Sequence, residues 1–475
     1  MDGRVNGSGA SVSNIGSAGS AGKPLLTTTW LAAQTVSWPT VLFAVFAGYV
    51  LLCSALRFRF ERAMRRKFPY PDRASLARMT LDDAQAILGY IIQYEFPYLY
   101  KLSIQFGIFK TYTFPSISRL VWATGSLKDV KRAAKRYEDT VTLFAEFSLN
   151  PPTSDRCLKA IARMNYLHSR YQASGAIRNA DLLYTLSVCI TEPARFMAQY
   201  EWRPLNEMER CALGVFWKAL GDAMQIDYAG ALARAPAKAG AADGGSSGSS
   251  GSSGWHDGLE FTDDITAWAR QYEREAMRPD PVNTKLARTF VDLLLWYLPH
   301  AVRPFFLEVL TVLMGDRVRD AFSYPEPGIV ASAVTCTALV ARRFYLRYLA
   351  LPRIGLYRPT SAAADPQTGR IHLNEYMLEP WYNRPTVWNR WGPMALLTRA
   401  LGGTVPGNRR HREEQQQPGG KAAAAATSFD GVTFLPEGFL FEDIGPFNRM
   451  GSGVAEGAAE EARLRTARSS GCPFA

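Results

Sequence analysis

The chain has 475 residues, 47% hydrophobic and 20% charged, with 54 Lys+Arg against 43 Asp+Glu. That balance excludes a wholly disordered or fibrous protein, and the length admits two or three domains or one large helical domain with tails. The net charge of +11 suits nucleic acid or an anionic membrane surface equally, until the positions of the charges are read.

Residues 1–35 open with a Gly/Ser/Ala/Asn-rich stretch that has no apolar periodicity and read as a disordered tail. No charge occurs from Pro24 to Leu56, and residues 36–56 are long enough, at about 1.5 Å per residue, to cross a hydrocarbon core of about 30 Å. This segment reads as a transmembrane anchor. It starts too late, behind too weakly basic a leader, for a cleaved signal peptide, and a buried core helix is the alternative. Arg57–Lys67, inside a basic juxtamembrane segment at 57–72, carries six basic residues and one acid. The positive-inside rule then predicts a single-pass protein with a lumenal N-terminus and a cytosolic body. Part of the positive charge thus belongs to the membrane boundary. The rest shows no basic stripe with interleaved aromatics, so no nucleic-acid partner is expected.

Residues 73–400 read as one all-α body. Thr80 and Asp83 resemble a capping start before Leu81, Ala84, Ile87, Leu88, Ile91 and Ile92 at helix spacing. Val130–Phe144 and Leu158–Tyr171 carry further amphipathic patterns, and Asp181–Ile190 reads as the start of a central apolar helix. An Ala/Gly/Ser-rich insertion at 229–254 interrupts the pattern as a flexible surface segment. Helices resume at Phe261–Arg274 and Leu286–Met314, the latter broken by Pro299 and Pro304. Gly328–Ala341 is apolar for 14 residues, too short to span comfortably, and reads as a core or membrane-contacting helix. Residues 401–475 are expected to form a mostly irregular tail.

Six scattered cysteines without a CxxC, and five histidines without an HExxH or HxH, indicate neither a disulfide framework nor a multi-histidine metal site. His168 lies on the apolar side of its helix, four residues after Met164. Such a histidine is either a satisfied structural residue or a ligand at a functional site, and a haem iron needs only one protein imidazole. On the preceding helix Arg136, Asp139 and Thr140 share a face, either as a surface contact or as part of a site. Glu192 and Arg195 end the central apolar run, where a buried ion pair, a propionate clamp and a proton-transfer carboxylate would all look alike.

Several segments together resemble the fungal endoplasmic-reticulum-bound oxygenases of the mycophenolic-acid pathway type (MpaB-like), which are distantly related to bacterial latex-clearing proteins. They are RYEDT at 136–140, NYLHSRYQASGAIRNADLLYTLSVCITEPARF at 165–196, YEWRPLNEMERCALGVFWKALGDAM at 200–224, WHDGLEF at 255–261, MGDRVRDAFSYPEP at 314–327 and CPF at 472–474. The resemblance implies a single all-α domain behind one transmembrane helix, bound to the endoplasmic reticulum. It further implies that the domain binds haem b and uses dioxygen to cleave a C=C bond in a lipophilic isoprenoid chain, in secondary metabolism. It places the proximal iron ligand on His168 and the Arg-x-x-x-Thr pair on Arg136 and Thr140. Asp139 stands where the bacterial proteins tend to have a lysine, and Asn165 and Gln172 stand where they tend to have arginines. Arg136 and Arg195 are therefore the expected propionate partners, and Glu192 the candidate base for allylic proton removal. A non-catalytic membrane-tethered protein with a structural His168 is the alternative; a hydrolase is disfavoured because no strand–turn–helix nucleophile elbow is present.

Overall fold

A computed structural model describes residues 37–236, 254–407 and 434–467. The expected N-terminal tail at 1–35, most of the insertion at 229–254 and the CPF motif lie outside these residues. Residues up to Leu52 and residues from Cys53 onward form two compact units. Helix α1 (Trp38–Arg57) bridges the boundary and exposes Leu42, Phe43, Val45, Phe46, Leu51 and Leu52. An all-round apolar surface of this kind suits lipid rather than water.

The second unit is all-helical, as the periodicity predicts, with isolated β-bridges in place of strands among the described residues. Besides a single α-helical turn at Arg73–Leu76, its α-helices up to the insertion are α2 (Arg59–Lys67), α3 (Leu81–Tyr90), α4 (Pro97–Thr111), α5 (Pro115–Ala123), α6 (Val130–Leu149), α7 (Asp155–Ala173), α8 (Asn179–Tyr200) and α9 (Glu207–Ala223). After the insertion follow α10 (Gly258–Ala276), α11 (Pro281–Leu294), α12 (Arg303–Met314), α13 (Asp316–Ala321), α14 (Ile329–Phe344), α15 (Val387–Trp391), α16 (Pro393–Ala400) and α17 (Val454–Ala467). Local chemistry sets many of the starts. Thr80, Asp129, Ser154, Asn206, Asp257 and Asp280 each accept a backbone N–H in the first turn of the helix that follows. Short spacing between α12 and α13 is possible because Gly315 sits at φ +72°, a conformation that costs glycine nothing.

Helix α8 is the hub, packed on α4, α9 and α10, while α6 lies against α7. The crossing of α9 and α10 is the tightest. A Cβ on Gly214 would sit 2.0 Å from the Gly258 carbonyl oxygen, and one on Gly258 would sit 2.3 Å from the Cys211 carbonyl. Two glycines facing each other thus let the backbones touch where any side chain would force the helices apart.

Within residues 401–475, expected to be mostly irregular, the described part includes a helix of 14 residues, α17. This helix packs on α7, and Arg163 of α7 draws in the preceding loop. Its buried guanidinium donates to the carbonyls of Ile444 (2.8 Å), Ser452 (2.6 Å), Glu442 (2.8 Å) and Arg449 (2.8 Å). Four charge-assisted bonds compensate for burying the cation and hold a loop that local propensity alone leaves undefined.

Replacing Gly214 with Ala should lower stability by about 1–3 kcal/mol through overpacking. Gly457 lies inside α17 with open space around it, so Gly457→Ala should leave stability unchanged or raise it by up to about 1 kcal/mol. Thermal melts of the two variants against the parent check the contrast.

Candidate active site

Helices α6 and α7 converge on a cavity of about 550 Å³, within the usual range for small-molecule sites. Met164, Leu167 and His168 present the α7 side, and Arg136, Asp139, Thr140 and Leu143 the α6 side. The 3–4 residue spacing within each group is the helical repeat that puts them on one face. A smaller cavity of about 110 Å³ adjoins it, lined mainly by apolar side chains such as Ile104, Val141, Leu149 and Phe290. Ile108, Tyr112, Arg136, Thr140, Phe144 and Trp217 line both and form the partition between them.

His168 is the one described histidine that lines either cavity. Its Nδ1 is buried without a hydrogen-bond partner. Burial, and then the nearby Arg136 guanidinium, pushes its pKa down to about 4, so the imidazole is neutral near pH 7. Neutrality is what a metal-binding imidazole requires. Among the described residues no three His, Cys, Asp or Glu side chains gather as a metal site. An iron held here by His168 would need its remaining ligands from a prosthetic group such as haem. Arg136 donates to Ser126 Oγ only at 3.4 Å, which leaves its charge directed to the cavity it lines, and Arg132, Arg170 and Arg449 line the same cavity. Large volume, an orphaned neutral imidazole and several guanidinium groups together fit haem b with its two carboxylates.

Asp139 is engaged by its own helix. Lys135, one turn earlier and fully buried, donates to Asp139 Oδ1, to the Tyr382 hydroxyl (2.7 Å) and to the Gly445 carbonyl (3.1 Å); Tyr382 in turn donates to Asp139 (2.7 Å). Burial holds the Lys135 ammonium below its ordinary pKa against the opposing pull of Asp139. Lys135 and Asp139 both line the larger cavity, so a lysine stands in the site although the sequence reading found only an aspartate there. The signal was legible as an i, i+4 Lys–Asp pair; Tyr382 and the loop at Gly445–Arg449, remote in sequence, gave none.

Two sequence-read residues fall elsewhere. The stripe of α8 on the cavity runs through Leu182, Thr185, Leu186 and Cys189 and ends there. Glu192 lies one turn beyond, buried, where Lys110 (3.0 Å) and Arg195 (2.7 Å) take it up, and Lys110 also pairs with Glu273 (2.7 Å). This network fastens α8 to α4 and α10. Glu192 thus does not line the cavity, and Arg195, which also stacks over Phe106 and Phe196, is not among the cavity's guanidinium groups. Asn165, read as a replaced arginine, donates to the Ala223 carbonyl and to Glu460 and helps seat α17.

No family model matches the chain. It is 36% identical over 445 residues to the ER-bound oxygenase mpaB' of Penicillium brevicompactum, covering 94% of this chain and 96% of that protein. It is similar also to the ER-bound oxygenase mpaB of the same species, at 35% identity with 80% and 86% covered. A third relative, mpaB of Penicillium roqueforti, is 37% identical with 61% and 91% covered.

The depressed pKa of His168 predicts the pH dependence of the ligand-free protein. Its folded value of about 4 lies below the unfolded value of 6.5, so the native state binds fewer protons between the two. Stability from this group is therefore intact above pH 6.5 and is lost as pH falls toward 4. Relative to His168→Gln, the parent should lose on the order of 1 kcal/mol between pH 7 and pH 5, read from urea midpoints at the two pH values. A second test concerns Lys135: Asp139→Asn should cost about 3–5 kcal/mol by leaving a buried ammonium uncompensated, whereas the double variant Lys135→Met/Asp139→Asn should recover part of that loss.

Proposed function

The chain belongs to the family of ER-bound oxygenases represented by mpaB and mpaB', and from that premise we propose that it is a haem b-dependent enzyme cleaving a C=C bond in a lipophilic, prenyl-type chain. As a member it is an oxidoreductase. The observation that carries the haem reading is His168, a neutral imidazole with a buried, unpartnered Nδ1 in a cavity of about 550 Å³. His372 shares an unpartnered Nδ1, but His168 alone among the described histidines combines it with a place on the cavity wall, and that combination weighs against the non-catalytic alternative.

His168 would be the proximal ligand, and Arg136, with Arg132, Arg170 and Arg449, would pair with the propionates. Haem b supplies, when bound, an iron centre that takes up dioxygen. The protein's share is binding, orientation and exclusion of water. The apolar walls of the smaller cavity favour an isoprenoid chain by removing its surface from water, at about 25 cal/mol per Å². Gln105 and Tyr137, hydrogen-bonded to each other on that wall, supply polar atoms that can orient a substrate's polar group. Arg136 and Thr140 line both cavities, so they stand between the imidazole side and the apolar side. Thr140 Oγ1 donates to the Arg136 carbonyl (2.8 Å), which fixes its rotamer. The Lys135–Asp139–Tyr382 cluster holds exchangeable protons at the cavity wall and replaces Glu192 as the candidate for proton movement.

In the same reading α1 anchors the protein in the endoplasmic-reticulum membrane as a single pass, with its N-terminus in the lumen and its body in the cytosol, so that a lipophilic substrate is met where it concentrates.

Purified parent protein should show a haem Soret band, His168→Ala should lose it, and His256→Ala, His300→Ala and His372→Ala should keep it. A normal spectrum in His168→Ala, or a folded parent that cannot be reconstituted with haem, would overturn the haem reading. Protease added to intact microsomes should digest the body and spare a small N-terminal fragment, and protection of the body would reverse the orientation.

A further inference from the structure

Two helical segments among the described residues are long and apolar enough to cross a membrane, Trp38–Lys67, which is α1 and α2, and Ile329–Leu349, which is α14 and the π-helical turn after it. The second does not have the surroundings of a core helix. Ala331 and Thr335 are its buried positions, against α12, whereas Ile329 (88%), Val330 (71%), Val340 (68%) and Phe344 (57%) stand exposed. Phe305 and Phe306 of α12 extend this surface. An exposed apolar patch of this extent on a folded body marks a contact site.

Both ends of the segment are held by the same body. At one end the Gly328 N–H donates to Glu308 (2.9 Å). At the other, Arg342 reaches the Tyr200 carbonyl and Glu201, both at 2.8 Å. Crossing the bilayer would pull these partners to opposite sides of the membrane, and the uncharged run of 14 residues at Gly328–Ala341 covers only about 21 Å of a core about 30 Å thick. The segment can therefore lie along a bilayer surface but not span it.

The exposed side chains of the segment form one mixed face. Ile329, Val330, Val334, Val340 and Phe344 supply an apolar stripe, Tyr345 and Tyr348 stand exposed beside its end, and Arg343 is exposed there too, while Arg342 turns to Glu201 and Arg347 lies over Phe58 and Trp202 of the body. Apolar, aromatic and basic side chains together on one exposed helix suit the boundary between hydrocarbon and headgroups. Arg57 and Arg59 add continuity with the membrane boundary. Arg57 is the first charge after the uncharged stretch, and its guanidinium donates to the carbonyls of Leu346 (2.8 Å) and Ala350 (3.4 Å), while Arg59 donates to the carbonyl of Arg353.

We propose that the outward face of Ile329–Leu349 is seated in the lipid bilayer as a second, interfacial membrane contact, so that the body lies on the membrane rather than hanging from α1 alone. This extends the membrane part of the functional reading and is independent of haem. The same segment continues to Tyr357, which lines the smaller cavity, accepts Arg353-stacked Tyr98 as its ring neighbour and donates to Glu375, the partner of Lys101. The bilayer-seated face is thus joined by one short stretch of chain to a residue that lines the apolar cavity.

Cys336 makes the test direct, because it is exposed on the outward stripe between Ala333 and Val340, while Cys53, Cys157, Cys189 and Cys211 are buried. The full-length chain carrying Cys472→Ser is labelled at Cys336 with an environment-sensitive nitrobenzoxadiazole probe and reconstituted in phosphatidylcholine/phosphatidylinositol vesicles. Flotation with the vesicles reads membrane attachment as such. In the floating protein, acyl-chain doxyl lipid should remove most of the emission and aqueous cobalt little of it, and Val334→Asn/Val340→Asn should shift quenching toward cobalt. Quenching of the parent by cobalt but not by doxyl lipid overturns the proposal while leaving the α1 anchor intact. Shielding from both quenchers, as a second protein copy would give, also overturns it, and failure to float overturns both the anchor and this face.

Discussion

An imidazole can hold a metal only while it is uncharged and has not given its lone pair to another partner, and the architecture around His168 satisfies both conditions at once. Burial disfavours the imidazolium, and the Arg136 guanidinium on the facing helix adds repulsion of the same sign. The unpartnered Nδ1 is a cost that a well-packed core would have removed with a hydrogen bond. Much of the rest of the fold can be understood as the means of keeping that cavity open: α6 and α7 supply its walls, and α8 contributes a stripe that stops at Cys189.

Keeping such a cavity open needs rigid surroundings, and the protein obtains them with buried charge as well as apolar packing. Glu192, Lys110, Glu273 and Arg195 fasten three helices beyond one end of the cavity. Arg163 holds the loop at Glu442–Ser452 through four carbonyls, and Lys135 joins that loop to α6 and Tyr382. Each cation is compensated by several acceptors, without which burial would destabilise the fold. The consequence for function is that the cavity wall includes groups able to hold protons, close to a surface that is otherwise apolar.

Attachment to a membrane fits the same economy of surfaces. A substrate that is soluble in the bilayer is scarce in water, so an apolar cavity works best where its mouth is near lipid. Helix α1 has the length and hydrophobicity for such attachment, and Ile329–Leu349 presents a further exposed apolar face.

The sequence by itself determined what depends on local periodicity and on composition. Helix class, the capped start at Thr80, the proline break before α12 and the uncharged stretch of α1 were all legible, because each is written in neighbouring residues. Helical phase put His168 on an inner face and put Arg136, Asp139 and Thr140 on one common face, and resemblance joined the two. Tertiary structure alone decided where those faces met. It placed Glu192 and Arg195 beyond the end of the cavity, and it brought the loop at Gly445–Arg449 to the cavity wall through Arg163. It also brought Tyr382, nearly 250 residues away, to Asp139. Helical phase fixes a direction around one axis but not which neighbour lies along it, and a buried charge is compensated by whatever partner the packing delivers.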